Sequence, residues 1–360
     1  KAGGGAGGLT VKTGDESLLT LKDRVEHHFT TGISTVEISS VNMDRLLDEF
    51  ATYFRDNINQ PAAPFKTYVI RGNNNPDKIS DLTKWLDAHR VTYGLAGINR
   101  PVKAFDFNSR KTEATTISQE DLVFNIYQPK GRFLTTVFEP NSRLADSLTY
   151  DITAWNLIYS YGLKAVALNE RLNPSKPYQS TLVKKTEGEP YAWVCKYEST
   201  SDQKFLAAML KAGVRVKTAM RPFSNSGKTF AQGSLLIASG SNQHLSGFHK
   251  LIQSLAADFN RDLSPLTTGY SSSGPDVGSS DFSFIEKPSI AVLGGDQTSS
   301  QNHGQIWHYF EQSVNYPISV IGTDYFKSID LWKYNVLVVP EGNYRIFDEE
   351  TLNTCLLYTS

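Results

Sequence analysis

The run Ile290-Ala-Val-Leu-Gly-Gly-Asp296 constrains the fold more than any other stretch of the chain. Its apolar residues are continuous rather than alternating, and it is too short for a buried helix. It therefore reads as a strand covered on both faces and ending in a glycine turn. Residues 302–314 follow with helical spacing, and 318–321 and 336–340 (Val-Leu-Val-Val-Pro) read as two further strands. Strand, helix, strand, short connector, strand is the order of a parallel doubly wound sheet, in which crossovers are right-handed. The expected class is α/β and multidomain, with an incomplete parallel sheet near the C-terminal end.

Upstream the same alternation continues in looser form. Residues 19–29 begin a helix with Leu21, Val25 and His28 on one face, and 36–54 read as a second, carrying Leu46, Leu47, Phe50 and Phe54 at helical spacing. A polar, proline-containing linker is expected at 57–64. Strands are expected at 65–70, 91–95, 103–107 and 122–127, with an amphipathic helix at 76–90 carrying Ile79, Leu82, Trp85 and Leu86. Residues 131–161 suit a structured loop and helix. After a break marked by Pro174, Pro177 and Pro190, strands are expected at 191–195, 214–219 and 233–238 and helices at 201–211 and 249–259, with Gly213 as a helix stop. A Gly- and Ser-rich stretch, 267–283, reads as a second linker.

At 360 residues the chain is too long for one ordinary core, so two or three domains are expected. Hydrophobic residues at 39% and a net charge of -1 exclude disorder for the bulk, and the charge balance offers no general attraction to nucleic acid or anionic lipid. No apolar run approaches the roughly 18–20 residues of a membrane span. Two cysteines, Cys195 and Cys355, exclude a disulfide scaffold and a four-thiolate zinc site. The sequence opens Lys1-Ala-Gly-Gly-Gly without an initiator Met or signal segment and stops at Ser360 soon after the third strand of an unfinished unit, both of which suggest a fragment of a longer polypeptide; the tail Cys355–Ser360 fits no cap or strand pattern and reads as non-native sequence.

Several motifs carry two readings each. Gly227-Lys228-Thr229 looks like the end of a phosphate loop, but Pro222 stands where the loop's first Gly belongs, which favours an ordinary turn. His308 and Glu311 have the HxxE spacing of two zinc ligands on one helical face; no later His supplies a third, and Trp307 and Phe310 mark the helix as a packing element. His244 and His249, like His303 and His308, are five apart and diverge around a helix. Cys195 lies within an apolar strand and reads as an inert buried thiol. Glu139, Arg143, Asp146, Tyr150 and Asp151 form a candidate polar site, equally explained as caps and an ion pair. Gly294, Gly295 and Asp296 with Glu341 and Gly342 are a candidate crevice at the carboxyl edge of the parallel sheet, where open sheets bind ligands; tight turns requiring Gly explain them equally well.

The run Leu19-Thr-Leu-Lys-Asp-Arg-Val-Glu-His-His-Phe resembles the end of the catalytic domain in large bacterial zinc carboxypeptidases of the carboxypeptidase A-like superfamily, of the long Bacteroidetes type. Tyr127-Gln-Pro-Lys, Val137-Phe-Glu-Pro, Asp146-Ser-Leu-Thr-Tyr-Asp-Ile-Thr-Ala-Trp and Tyr161-Gly-Leu resemble the region after that domain. Gly274-Pro-Asp-Val-Gly-Ser and Lys287-Pro-Ser-Ile-Ala-Val-Leu-Gly-Gly resemble the family's C-terminal module, which is similar to class I glutamine amidotransferases and flavodoxin-like in fold. The resemblance covers nearly the whole chain. It implies a remnant of the catalytic domain at 1–58, α/β domains at 59–175 and 176–284, and a truncated amidotransferase-like module at 285–360.

The same resemblance implies a hydrolase, a metallopeptidase that removes C-terminal residues from a peptide substrate, in a secreted or periplasmic setting. Zinc would polarise the scissile carbonyl while a Glu handles the proton. The HxxE and distant His that hold zinc have no counterpart in this chain, so zinc is implied for the full-length parent and no metal within these residues. Gly3, Gly4, Gly5, Gly7 and Gly8 are implied to border the substrate cleft. No nucleic acid partner and no membrane span are expected. The competing expectation is a peptide- or partner-binding α/β scaffold without enzymatic activity. An independent amidotransferase-like or nucleotide-binding enzyme would need a nucleophilic Cys or a phosphate loop, and neither motif is present.

Overall fold

The computed structural model describes residues 11–12, 18–141, 155–179, 187–345 and 347–349. Helices and strands are mixed throughout, at 37% and 22%. The described residues fall into two compact units, one drawn from 1–74 and 81–178, the other from 75–80 and 179–360.

In the first unit a short pair, β1 (Val11–Lys12) and β2 (Leu18–Leu19), precedes two helices, α1 (Leu21–Val41) and α2 (Met43–Asn59). The apolar spacing at 36–54 suggested one helix, but the chain breaks at Asn42, whose side-chain amide donates to the Ile38 carbonyl at 2.8 Å and closes α1. No residue of α1 is buried: Leu21, Val25, Phe29, Ile33 and Val36 are all exposed. The linker expected from 57 starts later, because α2 runs to Asn59 and buries Asn57.

β3 (Thr67–Ile70) is the spine of this unit. α3 (Pro76–Ala88), whose first turn belongs to the second unit and whose residues from Asp81 on belong to this one, β4 (Gly94–Leu95), β5 (Arg100–Asp106), β6 (Thr112–Ile117), β7 (Leu122–Asn125), α4 (Gly131–Phe138), α5 (Leu157–Ser160) and β8 (Ala165–Leu168) follow. The six strands form one sheet in the order β4-β7-β3-β8-β5-β6, with antiparallel pairing throughout. Successive β3 residues face opposite sides, and both sides are covered. Tyr68 meets Phe107 and Phe138 on one, with Phe124 against Phe138, while Val69 packs with Val123 and Val166 on the other.

At the edge of this core the Tyr93 hydroxyl donates to Asp87 Oδ1 at 2.9 Å. Burial, and then that hydrogen bond, push its pKa up to about 12. A folded-state pKa raised above the unfolded value gives stability that is complete below about pH 10 and lost between pH 10 and 12. Tyr93→Phe is expected to flatten that part of the curve when unfolding is followed by circular dichroism from pH 8 to 12; an unchanged slope would show that Tyr93 does not contribute.

The second unit is built on β9 (Ala192–Cys195), α6 (Thr200–Lys211), β10 (Lys217–Ala219), β11 (Phe223–Asn225), β12 (Lys228–Phe230), β13 (Leu235–Ala238), α7 (Phe248–Asp258), β14 (Ser264–Leu266) and β15 (Phe282–Phe284). Its main sheet, β14-β9-β13-β10-β15, is also antiparallel. Trp193 and Cys195 point from β9 into the core shared with Phe205 and Met209 of α6 and Ile252 of α7. Ala192 and Val194 face the other side, against Phe223, Phe230 and Val277. Gly213 ends α6 as expected: with φ +80° it lets its own N–H reach the Leu210 carbonyl and the Val214 N–H reach Met209, a Schellman closure.

Residues 267–283 are not a linker. Ser224 pairs with Ser273, Val277 is 2% exposed and Ser271 is buried, so this polar stretch is a packed part of the unit. Serine and glycine density reads as a linker in the sequence, whereas here Gly274, with φ +77°, serves a tight turn.

The parallel sheet appears where it was expected. β16 (Ile290–Gly294) lies between β17 (Ser319–Gly322) and β18 (Val336–Val338), parallel to both. α8 (Ser300–Trp307), extended by a π-helical turn at His308–Ser313, lies between β16 and β17 in sequence. Ile290 and Val292 pack on one face of the sheet, Ala291 and Leu293 on the other.

Candidate functional site

The most elaborate polar site lies in the second unit and was not singled out from the sequence. It starts from three backbone devices. Asn75 caps α3, its side-chain oxygen accepting from the Asp77 N–H at 2.9 Å, and Pro76 takes the first helical position. Ser199 caps α6 in a capping box with Asp202. α7 ends in a Schellman closure with Asn260 at φ +53°, so that the Arg261 N–H reaches the Ala256 carbonyl at 2.7 Å. Two helix starts and one helix end thereby set Asp77, Asp202 and Arg261 together.

Arg261 donates through Nη1 to Asp202 Oδ1 at 2.7 Å and to Asp77 Oδ2, through Nη2 to Asp77 Oδ1, and through Nε to the Phe259 carbonyl. The side chains are 8% exposed for Arg261, 6% for Asp202 and 17% for Asp77, so this is a buried ionic triad. Burial alone works against the guanidinium charge, and the two carboxylates more than offset it, holding Arg261 above its usual range. Ser199 Oγ lies 2.6 Å from Asp77 Oδ2 and 2.9 Å from Asp202 Oδ2, and Asp202 Oδ2 also accepts from the Glu198 and Ser199 N–H groups.

The triad lines a cavity of about 770 Å³ whose walls include Val194, Cys195, Lys196, Lys228, Phe230 and Asp262. Lys228 arrives there through the Gly227-Lys-Thr run. This is a turn, as expected, since Ser226 and Gly227 both have positive φ between the paired strands β11 and β12. Its ammonium donates to Ser264 Oγ at 3.0 Å. Cys195 is 4% exposed, and burial, then nearby Asp202, keep its thiol protonated well above the usual range. It is an apolar wall rather than a nucleophile.

The sheet-edge candidates do come together. Gly294, Gly295, Asp296, Glu341 and Gly342 lie at the carboxyl ends of β16 and β18, whose loops are joined by a Thr298–Gly342 bridge and by hydrogen bonds from Ser299 N–H to the Glu341 carbonyl and from Asn343 N–H to the Gln297 carbonyl. Asn302 donates to the Glu341 carboxylate. A Cβ on Gly342 would sit 2.2 Å from the Gln297 carbonyl oxygen, and one on Gly294 3.1 Å from the His303 ring. Close packing of the loops accounts for these glycines.

Of the other candidate polar site, Glu139 is described: its carboxylate accepts from Trp155 Nε1 at 3.0 Å and its carbonyl from the Asn156 amide, a structural tie between α4 and α5. Arg143, Asp146, Tyr150 and Asp151, like Gly3, Gly4, Gly5, Gly7 and Gly8, lie outside the described residues.

The histidines are held individually. His244 faces the Gly213 carbonyl and His303 Nδ1 the Leu293 carbonyl. His249 looks like the base of a Ser–His pair, with Ser239 Oγ 3.3 Å from Nε2. However, Trp193 Nε1 donates to Nδ1 at 3.2 Å, which puts the neutral ring's proton on Nε2. The Ser239 hydroxyl in turn donates to the Pro190 carbonyl, so His249 has no lone pair directed at it. Glu311 accepts from Trp307 Nε1 at 2.8 Å rather than meeting His308, and no group of three His, Cys, Asp or Glu among the described residues is placed to hold a metal ion. These residues do not fit a zinc site.

Comparison with family models, with curated proteins and with solved structures returned no match for the chain.

Proposed function

We propose that this chain is a non-catalytic C-terminal part of a zinc-dependent carboxypeptidase, one that cleaves residues from peptide C-termini at a zinc site upstream of these residues, in a secreted or periplasmic protein. The observation that carries this reading is the parallel sheet β17-β16-β18, formed around the same Lys287–Gly295 run that resembles the amidotransferase-like module of such enzymes. The expected result for the purified chain is no stoichiometric zinc after dialysis and no release of C-terminal residues from test peptides. About one tightly held zinc per chain, or measurable release, would overturn it.

A second reading, a peptide- or partner-binding α/β scaffold, is favoured by the Arg261 cavity. A volume of about 770 Å³ with convergent polar groups is in the range of small-ligand sites. The readings are separable: the first turns on what precedes the chain in its parent, the second on what the chain itself retains.

A further inference from the structure

The Arg261 cavity is electrically divided. Among the residues that line its buried floor, two carboxylates, Asp77 and Asp202, and one guanidinium give a formal excess of one negative charge. Among the described residues Asp202 Oδ1 accepts from Arg261 Nη1 alone, which leaves a lone pair for a further donor. The exposed charges of the wall have the opposite balance: Lys196 and Lys228 against Asp262, one excess positive charge. Neither lysine has a carboxylate partner among the described residues; Lys228 is held by a neutral hydroxyl. The apolar part of the wall is Phe230 and Val194, on one face of β9, with Cys195 from the other.

A lone anion suits the rim but not the floor, and a lone cation the reverse. A zwitterion with its ammonium inward and its carboxylate outward satisfies both. The volume is generous for one amino acid and suits two or three residues, with an apolar side chain against Phe230 and Val194. We infer that the cavity binds a short unmodified peptide, a di- or tripeptide, with its α-ammonium at the Asp77–Arg261–Asp202 triad and its α-carboxylate between Lys196 and Lys228. This inference rests on the binding reading above and is independent of the carboxypeptidase one.

The two ends differ in strength. Charge interactions at the buried floor are weakly screened, whereas those at the exposed rim are screened by water and salt. Acetylating the amine is therefore costlier than amidating the carboxylate.

The test is titration calorimetry of the full chain with Leu-Leu, N-acetyl-Leu-Leu and Leu-Leu-amide in low salt. Leu-Leu is expected to bind, with acetylation weakening it about 100-fold or abolishing the signal and amidation weakening it about five-fold. In the variant carrying Lys196→Met and Lys228→Met, both at exposed positions, Leu-Leu is expected to fall to the affinity of the amide while the amide is unchanged; circular dichroism checks that the fold is kept. No heat with Leu-Leu at 10-fold above a millimolar dissociation constant, the range of the weakest ligands, overturns the inference. So does equal binding of all three peptides. Failure here with zinc still absent leaves the carboxypeptidase reading standing, and bound zinc with intact Leu-Leu binding does the opposite.

Discussion

Arg261→Met is expected to destabilise the second unit by about 3–5 kcal/mol, because removing one partner of a buried ionic group leaves the other charge uncompensated. Here it would leave two: Asp77 and Asp202 would face each other at the first turns of α3 and α6 without the guanidinium that bonds both. Helix dipoles and the Ser199 cap still favour these carboxylates, but such contributions are typically about 0.3–1 kcal/mol each and do not replace the pair. Adding Asp77→Asn to Arg261→Met should recover part of the loss by removing one of the stranded charges. Because a chain of two compact units need not unfold in one step, the readout is hydrogen exchange at β9 and α6 amides rather than a single midpoint. A loss below about 1 kcal/mol at those amides, the level of a surface pair, would mean that water solvates the triad and that the floor of the cavity is not a low-dielectric site.

The sequence exposed most elements and little of their pairing. Strands such as Ala192–Cys195 and Leu235–Ala238 stand out because each is a short, fully apolar run, and Gly213 marks the end of α6 by its need for positive φ. The parallel sheet was legible because its strands, helix and Gly turn are consecutive. The two larger sheets were not: β3 finds partners in β7 and in distant β8, and nothing in the run Thr67–Ile70 announces Leu168 as the neighbour of Thr67. Partner choice is decided by packing that a linear pattern does not carry.

The Arg261 site escaped for the same reason, since Arg261 lies 59 residues from Asp202 and 184 from Asp77. Its parts were nevertheless visible as local signals: Asn75-Pro-Asp as a helix start, Ser199-x-x-Asp202 as a capping box, and Asn260 just past an apolar helix. Each reads as ordinary punctuation until the fold sets the three ends side by side. The histidine pairs, five apart and so divergent around a helix, are held one by one, through separate bonds to carbonyls and to an indole N–H.

The Gly274-Pro-Asp-Val-Gly-Ser run shows how a motif used for recognition acts in the fold. Asp276 Oδ1 accepts from the Ser271 N–H at 2.7 Å, Val277 is buried, and Gly274 has φ +77°. A Cβ at 274 would stand 2.5 Å from the Pro222 carbonyl oxygen and 2.9 Å from Phe223 Cα, backbone atoms that cannot rotate away. Gly274→Ala is therefore expected to cost about 2–5 kcal/mol, combining about 1–2 for the left-handed backbone with about 1–3 for overpacking. Gly278→Ala, four residues on, meets nothing within 4 Å and has no positive φ, so it should stay within about 0.5 kcal/mol of the parent chain. The disturbance at 274 should also travel to the cavity, because Phe223 stacks on Phe230 with ring centroids 5.0 Å apart and Phe230 is part of the cavity wall. Urea unfolding of both variants, with Leu-Leu titrated into whichever remain folded, separates the alternatives. If Gly274→Ala is as stable as Gly278→Ala, the loop yields at that point, and the run owes its composition to something other than the contact with Pro222 and Phe223.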